Sequence, residues 1–315
     1  MKKKVFVVGM LVTVLALGLV FTGCASTGSN GDSSAFVIEN NVLVKYNGRS
    51  RNVIIPEDLG ITAIGRAFGN SNIVSVVIPN GVTRIGPSAF SQCLKLTNVQ
   101  LPDGLITIGD SAFAACPLSR IKIPASVTSI DATSFYIGYW EVDEANTRFT
   151  AIDGVLFNKD ITTILRYPAK KTGQSYTVPK TVTTIGRETF KGCAALRQII
   201  LPESLEKIET LAFWGSGITS ISIPETVTSL AGGAFTDCRN LESLKIPNGS
   251  MKEISGGYFI GLSRLRFIEI PPSVTRIESR AFIGCRSLTT IRVSRNTVIA
   301  ADAFLDSTGR PVRYD

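Results

Sequence analysis

The chain has no histidine among its 315 residues. That excludes Ser-His-Asp and Cys-His catalysis, histidine-ligated zinc and a histidine general base. An enzyme built from this sequence would need carboxylate, lysine or tyrosine chemistry. Dense carboxylate is also scarce. Glu141-Val142-Asp143-Glu144 is the one acidic cluster, it matches no Asp-x-Asp-x-Asp-Gly calcium loop, and it reads as a solvated loop. No glycine-rich phosphate loop and no nucleophile elbow occur. The expectation is a chain with no catalytic residues, no metal and no cofactor. Charge of one sign never runs in blocks. The formal charge is +8, and without Lys2, Lys3 and Lys4 there remain 30 basic against 25 acidic residues. So mild and scattered an excess argues against a nucleic-acid partner. What the chain has is apolar content, 44% by residue, enough for a packed fold.

The first segment reads as an address. Lys2-Lys3-Lys4 precedes an apolar run from Val5 to Phe21, slightly short for a spanning helix. Phe21-Thr22-Gly23-Cys24 resembles the lipobox of bacterial lipoproteins. The resemblance implies a signal peptide over residues 1–23 and a lipid on Cys24, which would hold the chain to a membrane. Phe21 departs from the usual Leu. Ala25, where Asp is the common signal for retention at the inner membrane, implies an outer membrane or cell-surface location. An uncleaved anchor and plain secretion are the alternatives. Residues 24–35 are small and polar and read as a flexible tether, reaching about 15–20 Å.

From residue 36 onward the sequence repeats itself. Leu96-Thr97-Asn98-Val99-Gln100-Leu101-Pro102 matches Leu196 to Pro202 and Leu241 to Pro247. A Phe recurs at 68, 90, 113, 135, 190, 213, 235, 259, 282 and 304, and eight of the nine intervals lie between 22 and 24 residues. Within one unit, alternation at Gln198 to Leu201 is strand period. Pro202 ends the strand because it has no N–H to donate. A β-branched stretch such as Val182-Thr183-Thr184-Ile185 forms a second short strand. Gly65, Gly86, Gly109 and Gly186 then allow a bend, with positive φ as one option. The Ala-Phe segment is expected to be a helical turn whose Phe fills the core. One unit cannot bury its apolar face, so the fold class is a mainly β repeat solenoid of about ten turns, residues 36–315. Ile38 to Leu43 reads as a capping β-hairpin. The long interval after Phe135 holds a hairpin insertion, about 139–178, with an Asp153-Gly154 turn. One continuous solenoid is favoured over two blocks, 36–148 and 149–315.

The pattern Ile-x-Ile-Pro-x-x-Val-Thr-x-Ile-Gly-x-x-Ala-Phe-x-x-Cys resembles the BspA-type leucine-rich repeat of bacterial surface proteins, over about residues 36–310. The resemblance implies an adhesin or host-matrix-binding function.

Cys93, Cys116, Cys193, Cys238 and Cys285 each lie three residues after a repeat Phe, where other turns carry Ser or Leu. They are expected to be unpaired core thiols. Function is left to the outward positions of the strands, which form two columns. Candidate protein-binding residues are Asn98, Gln100, Arg120, Lys122, Gln198, Lys245, Phe267, Glu269 and Arg292. An aromatic with Arg and Lys neighbours is the composition of an interface anchor. Tyr136, Tyr139 and Trp140 form a second aromatic group near the insertion. The functional expectation is a monomeric, non-enzymatic, lipid-anchored surface protein that binds a host matrix protein or an envelope component. A scaffolding lipoprotein of the envelope is the alternative.

Overall fold

The computed structural model describes residues 33–131, 133, 135, 137–304 and 312–314. Cys24, the signal segment, most of the tether and Tyr136 lie outside the described residues.

Each repeat contributes a strand to each of two parallel ladders. Asn52–Ile54, Ser75–Val77 and Asn98–Gln100 form one ladder, with Ser75 opposite Asn98 and Val76 opposite Val99. Ala63–Ile64, Arg84–Ile85, Thr107–Ile108 and Ser129–Ile130 form the other. Parallel pairing in fixed register puts like residues above like, so Ile64, Ile85 and Ile108 stack as one buried row. The repeat prolines end the first ladder's strands, and their carbonyls take the next free amide. Val82 N–H bonds Pro79 O at 3.1 Å, and Leu205 N–H bonds Pro202 O at 3.0 Å.

The Ala-Phe segment is a run of turns and not the expected helical turn. Left-handed residues recur within it: Ser88 at φ 55°, Gln92 at 63°, Glu188 at 55° and Arg280 at 56°. A right-handed helix cannot pass through such positions. The amides turn outward to the neighbouring repeat, as Phe90 N–H does to Ala112 O at 2.8 Å and Phe190 N–H to Ala212 O at 2.7 Å. The preceding Gly is needed for closeness and not for positive φ. A Cβ on Gly86 would lie 3.0 Å from Ile64 O, and one on Gly186 would lie 3.0 Å from Ile164 O.

The repeat Phe residues are buried and stack turn on turn. Ring centroids are 5.0 Å apart for Phe68 and Phe90, 5.1 Å for Phe90 and Phe113, and 5.3 Å for Phe190 and Phe213. All five repeat cysteines are buried and free. Their thiols have a polar role that sequence reading missed. Cys93 donates to Phe68 O at 3.0 Å, Cys116 to Phe90 O at 3.1 Å, and Cys238 and Cys285 to Phe213 O and Phe259 O at 3.1 Å. Each of these four thiols satisfies a carbonyl one turn away, whereas Cys193 reaches only Lys191 O of its own turn, at 3.8 Å. Burial pushes Cys193, Cys238 and Cys285 up to about 12. Contact with Cys93 pushes Cys116 up as well.

Three antiparallel pairings interrupt the parallel scheme, one of them between Val155–Asn158 and Thr163–Arg166, and the other two are tight hairpins. Phe36–Glu39 pairs with Val42–Tyr46 through Asn40 and Asn41, both at positive φ. Phe149–Ile152 pairs with Val155–Asn158 through Asp153 and Gly154, also at positive φ. Mirror-image turns of this kind suit the twist of paired strands. The two hairpins do not correspond. Val42–Tyr46 continues into the second ladder beside Ala63–Ile64, whereas its counterpart beside Thr184–Ile185 is Thr163–Arg166. Phe149–Ile152 is therefore an added outer strand.

The region after Phe135 is also more regular than expected. Tyr139–Val142 pairs in parallel with Arg120–Ile123, Tyr139 opposite Arg120, as another rung of the first ladder. Asn146 does the work of the missing proline turn. Its amide donates to Pro124 O at 2.8 Å and Val127 O at 3.0 Å, and its Oδ1 accepts from the N–H of Arg148 and Phe149.

The expected continuous solenoid is a stack with a divided core. One apolar cluster runs from Phe36 to Trp140, and the other from Val155 to Phe304. Strand Val155–Asn158 is the partition, with Leu156 in the first cluster and Val155 and Phe157 in the second. Buried Arg166 spans the boundary, donating to Phe135 O at 3.1 Å on one side and to Glu188 O on the other.

Candidate protein-binding face

The first ladder has an inward and an outward side because side chains alternate along a strand. In Gln198–Ile200, Ile199 is buried while Gln198 and Ile200 are exposed. Asn98, Gln100, Arg120, Lys122, Gln198, Lys245 and Arg292 are likewise exposed, and Phe267 and Glu269 are half-buried. Pairing brings several of these together. Lys245 sits opposite Glu269, which sits opposite Arg292, and Phe267 lies between Ser243 and Thr290. Asn98 and Gln100 lie opposite Ser75 and Val77 in the first block. Gln198 belongs to a separate three-stranded stretch, between Ser175 and Ser220.

The charged members of the columns are held by opposite charges on the same face. Arg120 bridges Glu141 at 3.1 Å and Lys122 bridges Asp143 at 3.4 Å. Lys245 bridges Glu225 at 2.9 Å, and Arg292 approaches Glu269 at 3.7 Å. The Ala145 N–H and Lys122 lower the Asp143 pKa, and Lys245 with the Asn248 N–H lowers that of Glu225. Such exposed pairs stabilise the fold little, because solvent screens them. Their effect is to fix side-chain positions on the face. The acidic cluster expected as a solvated loop is thus partly strand, with two of its carboxylates engaged.

Two shallow grooves open on this face. One, about 490 Å³, is lined by Lys122, Tyr139, Glu141, Asp143, Glu144 and Ala151 among others. Another, about 360 Å³, is lined by Glu225, Lys245, Asn248, Glu269, Pro271 and Ser294 among others. Tyr139 is 43% exposed, over the Asp153-Gly154 turn, where a Cβ on Gly154 would lie 2.5 Å from its ring. Trp140 is fully buried, edge-on to Phe135 at 4.8 Å, and is no surface aromatic. Sequence reading missed Tyr139 as a column member. The signal was there in Ile137-x-x-Trp140-x-Val142, which keeps the apolar spacing of Leu118-x-x-Ile121-x-Ile123. It was masked because Ile137 follows Phe135 by only two positions, whereas Leu118 follows Phe113 by five. Ile54, exposed opposite Val77, is a second missed member.

No curated protein matches the chain. Among solved structures, the pneumococcal vaccine antigen PcpA is similar at TM-score 0.71 and 26% identity, over 84% of this chain and 69% of that one. A leucine-rich repeat protein from Eubacterium ventriosum ATCC 27560 has TM-score 0.68 and 24% identity, covering 87% of this chain and 90% of its own. A leucine rich cell surface protein from Faecalibacterium prausnitzii A2-165 has TM-score 0.60 and 24% identity, covering 81% and 92%. The last two bear on the fold alone. Residues 62–172 and 167–289 match the BspA type leucine rich repeat region, in six copies. With most of its length in that match, the chain belongs to the BspA-type leucine-rich repeat family of bacterial proteins.

Proposed function

We propose that this protein is a non-catalytic, lipid-anchored surface protein whose outward strand face binds another protein, as an adhesin or host-matrix-binding protein does. The observation that carries the reading is the face itself. Its inward neighbours are near-invariant Ile, Val and Leu, while the outward positions change from turn to turn within a fixed backbone register. A solenoid of this kind offers a long, rigid surface suited to an extended partner. Aromatic and Arg side chains, as at Phe267 and Arg292, are favoured interface anchors. One structural relative, the pneumococcal vaccine antigen PcpA, supports display outside the cell.

Three measurements test this reading. Protease shaving of intact cells should remove the repeat region, and Cys24→Ala should release the chain from the membrane fraction. Immobilised protein should then capture a component of host matrix and none of its own envelope. Capture from the envelope fraction alone would make it a scaffolding lipoprotein.

A further inference from the structure

The excess positive charge of the chain is concentrated at one end. Residues 25–238 carry 18 basic and 18 acidic side chains, whereas residues 239–315 carry 12 basic and 7 acidic. Ten of those 12 are arginine. Four of them, Arg239, Arg264, Arg266 and Arg286, fall in the connection between a repeat Phe and the following face strand, on three successive turns. All four are exposed.

The backbone register stacks these connections. Arg266 N–H bonds Glu242 O at 2.9 Å, Thr289 N–H bonds Arg266 O at 3.1 Å, and the Ser263 hydroxyl donates to Arg239 O at 3.4 Å. Successive turns are then about 4.8 Å apart, the spacing of paired strands. Among the described residues, two carboxylates oppose Arg239 and Arg266. Asp237 holds Arg239 at 3.3 Å, and Glu242 precedes Arg266 in its column. Arg264 and Arg266 form no ion pair within 4.0 Å among the described residues. The neighbouring strand face, in contrast, neutralises its own charges through Lys245 with Glu225 and Arg292 with Glu269. Arg264 and Arg266 therefore leave positive charge uncompensated at this edge of the face.

The chemistry of the edge selects its occupant. Every cation in the row is arginine, whose planar fork engages carboxylate or sulfate through two parallel hydrogen bonds. Between the arginines stand Asn240 and Ser263, groups that pair with hydroxyls. Ile260 is the one exposed large apolar side chain in these three connections among the described residues, too little for a protein anchor. We infer that this arginine row is a second binding surface, separate from the strand face, and that it takes a linear anionic polysaccharide bearing carboxylate or sulfate groups.

The test uses the full chain in detergent with heparin, hyaluronan and polyglutamate as probes. Wild type should bind heparin. Arg264→Glu with Arg266→Glu should lower that affinity at least about tenfold, since the attraction becomes repulsion at two adjacent points. Arg49→Glu with Arg51→Glu, an equal charge change at the opposite end, should lower it by no more than about twofold because the sites lie beyond screening distance. The paired Arg→Lys variant keeps charge and fold and should lose about threefold, the part owed to the fork. Added hyaluronan binding assigns carboxylate recognition, and heparin binding alone assigns sulfate. No binding of wild type to either polysaccharide overturns the inference. So does equal loss in the two reversal pairs, and so does polyglutamate binding as tightly as heparin, which would make the row a reader of acidic polypeptide.

Discussion

The Arg292 guanidinium lies over the Phe267 ring, 5.8 Å from its centroid, while its other side approaches Glu269 at 3.7 Å. Three side chains from adjacent strands thus hold one another in place. Phe267 and Arg292 stand at neighbouring turns in different columns, so the contact is diagonal across the ladder. Cation–π attraction at an exposed site contributes about 0.5–1 kcal/mol. A preordered aromatic and arginine lose less entropy when a partner docks.

Tyr139 and Trp140 are sequence neighbours with opposite fates, and substitution should separate them. Trp140→Ala empties a buried site against Phe135 and should cost about 3–5 kcal/mol of stability. Tyr139→Ala should change the melting temperature little and weaken partner binding. Denaturant melts and binding isotherms of the two variants check this. A stable Trp140→Ala protein would contradict the buried assignment.

Truncating a repeat Phe should act locally. Phe282→Ala breaks the stack with Phe259 and Phe304 and should cost about 3–5 kcal/mol. Turns couple chiefly to their neighbours, so hydrogen exchange should rise near residue 282 and fade along the stack. The divided core adds a limit. Exchange in the first cluster, on the far side of Leu156, should stay at its wild-type rate. A uniform rise along the chain would refute nearest-neighbour coupling.

Arg166 is the polar tie between the two cores. Arg166→Leu leaves the carbonyls of Phe135 and Glu188 without this donor, at about 1–3 kcal/mol for each. The expected result is a single unfolding transition that splits into two, seen by calorimetry. One unbroken, merely lowered transition would mean that Leu156 and the hairpin alone couple the blocks.

The ladder thiols give stability a basic limit. Burial raises the Cys193, Cys238 and Cys285 pKa from 9.0 to about 12. The folded chain keeps these protons after the unfolded chain has lost them. Their contribution is therefore complete below pH 9 and falls as pH rises from 9 toward 12. Denaturant melts across that window should show the decline. Thiol titration in denaturant without reductant should count about five reactive groups from the repeats, and native protein should react slowly. One thiol or fewer would mean disulfides.

Most of the ladder was legible because it is periodic. The Phe spacing, the alternation in strands such as Gln198–Ile200 and the outward columns all depend on one repeated unit. Misreadings arose where the period was broken or where the backbone decided. Nothing in Gly-x-x-Ala-Phe announces that Ser88 or Glu188 adopts a left-handed conformation, since either residue is ordinary in a helix. Tyr139–Val142 was hidden by a shortened connection after Phe135. The tie through Arg166 joins residues 31 positions apart with no sequence pattern between them. Along the binding face, exposure was readable from alternation, but the ion pairs depend on which rung follows which. Lys122 looked free until Asp143 was placed beside it.

The central claim is that the strand face, and not the Ala-Phe side, engages a protein partner. Its most direct test compares capture from solubilised host matrix by three forms of the full chain. They are wild type, Phe267→Ala with Arg292→Ala, and a turn-side control, Lys191→Ala with Trp214→Ala, which removes another cation–π pair at 4.3 Å. The account predicts that the face variant loses about 1–3 kcal/mol of binding free energy per substitution at unchanged melting temperature, while the control binds as wild type does. Full binding by the face variant together with loss in the control would contradict it.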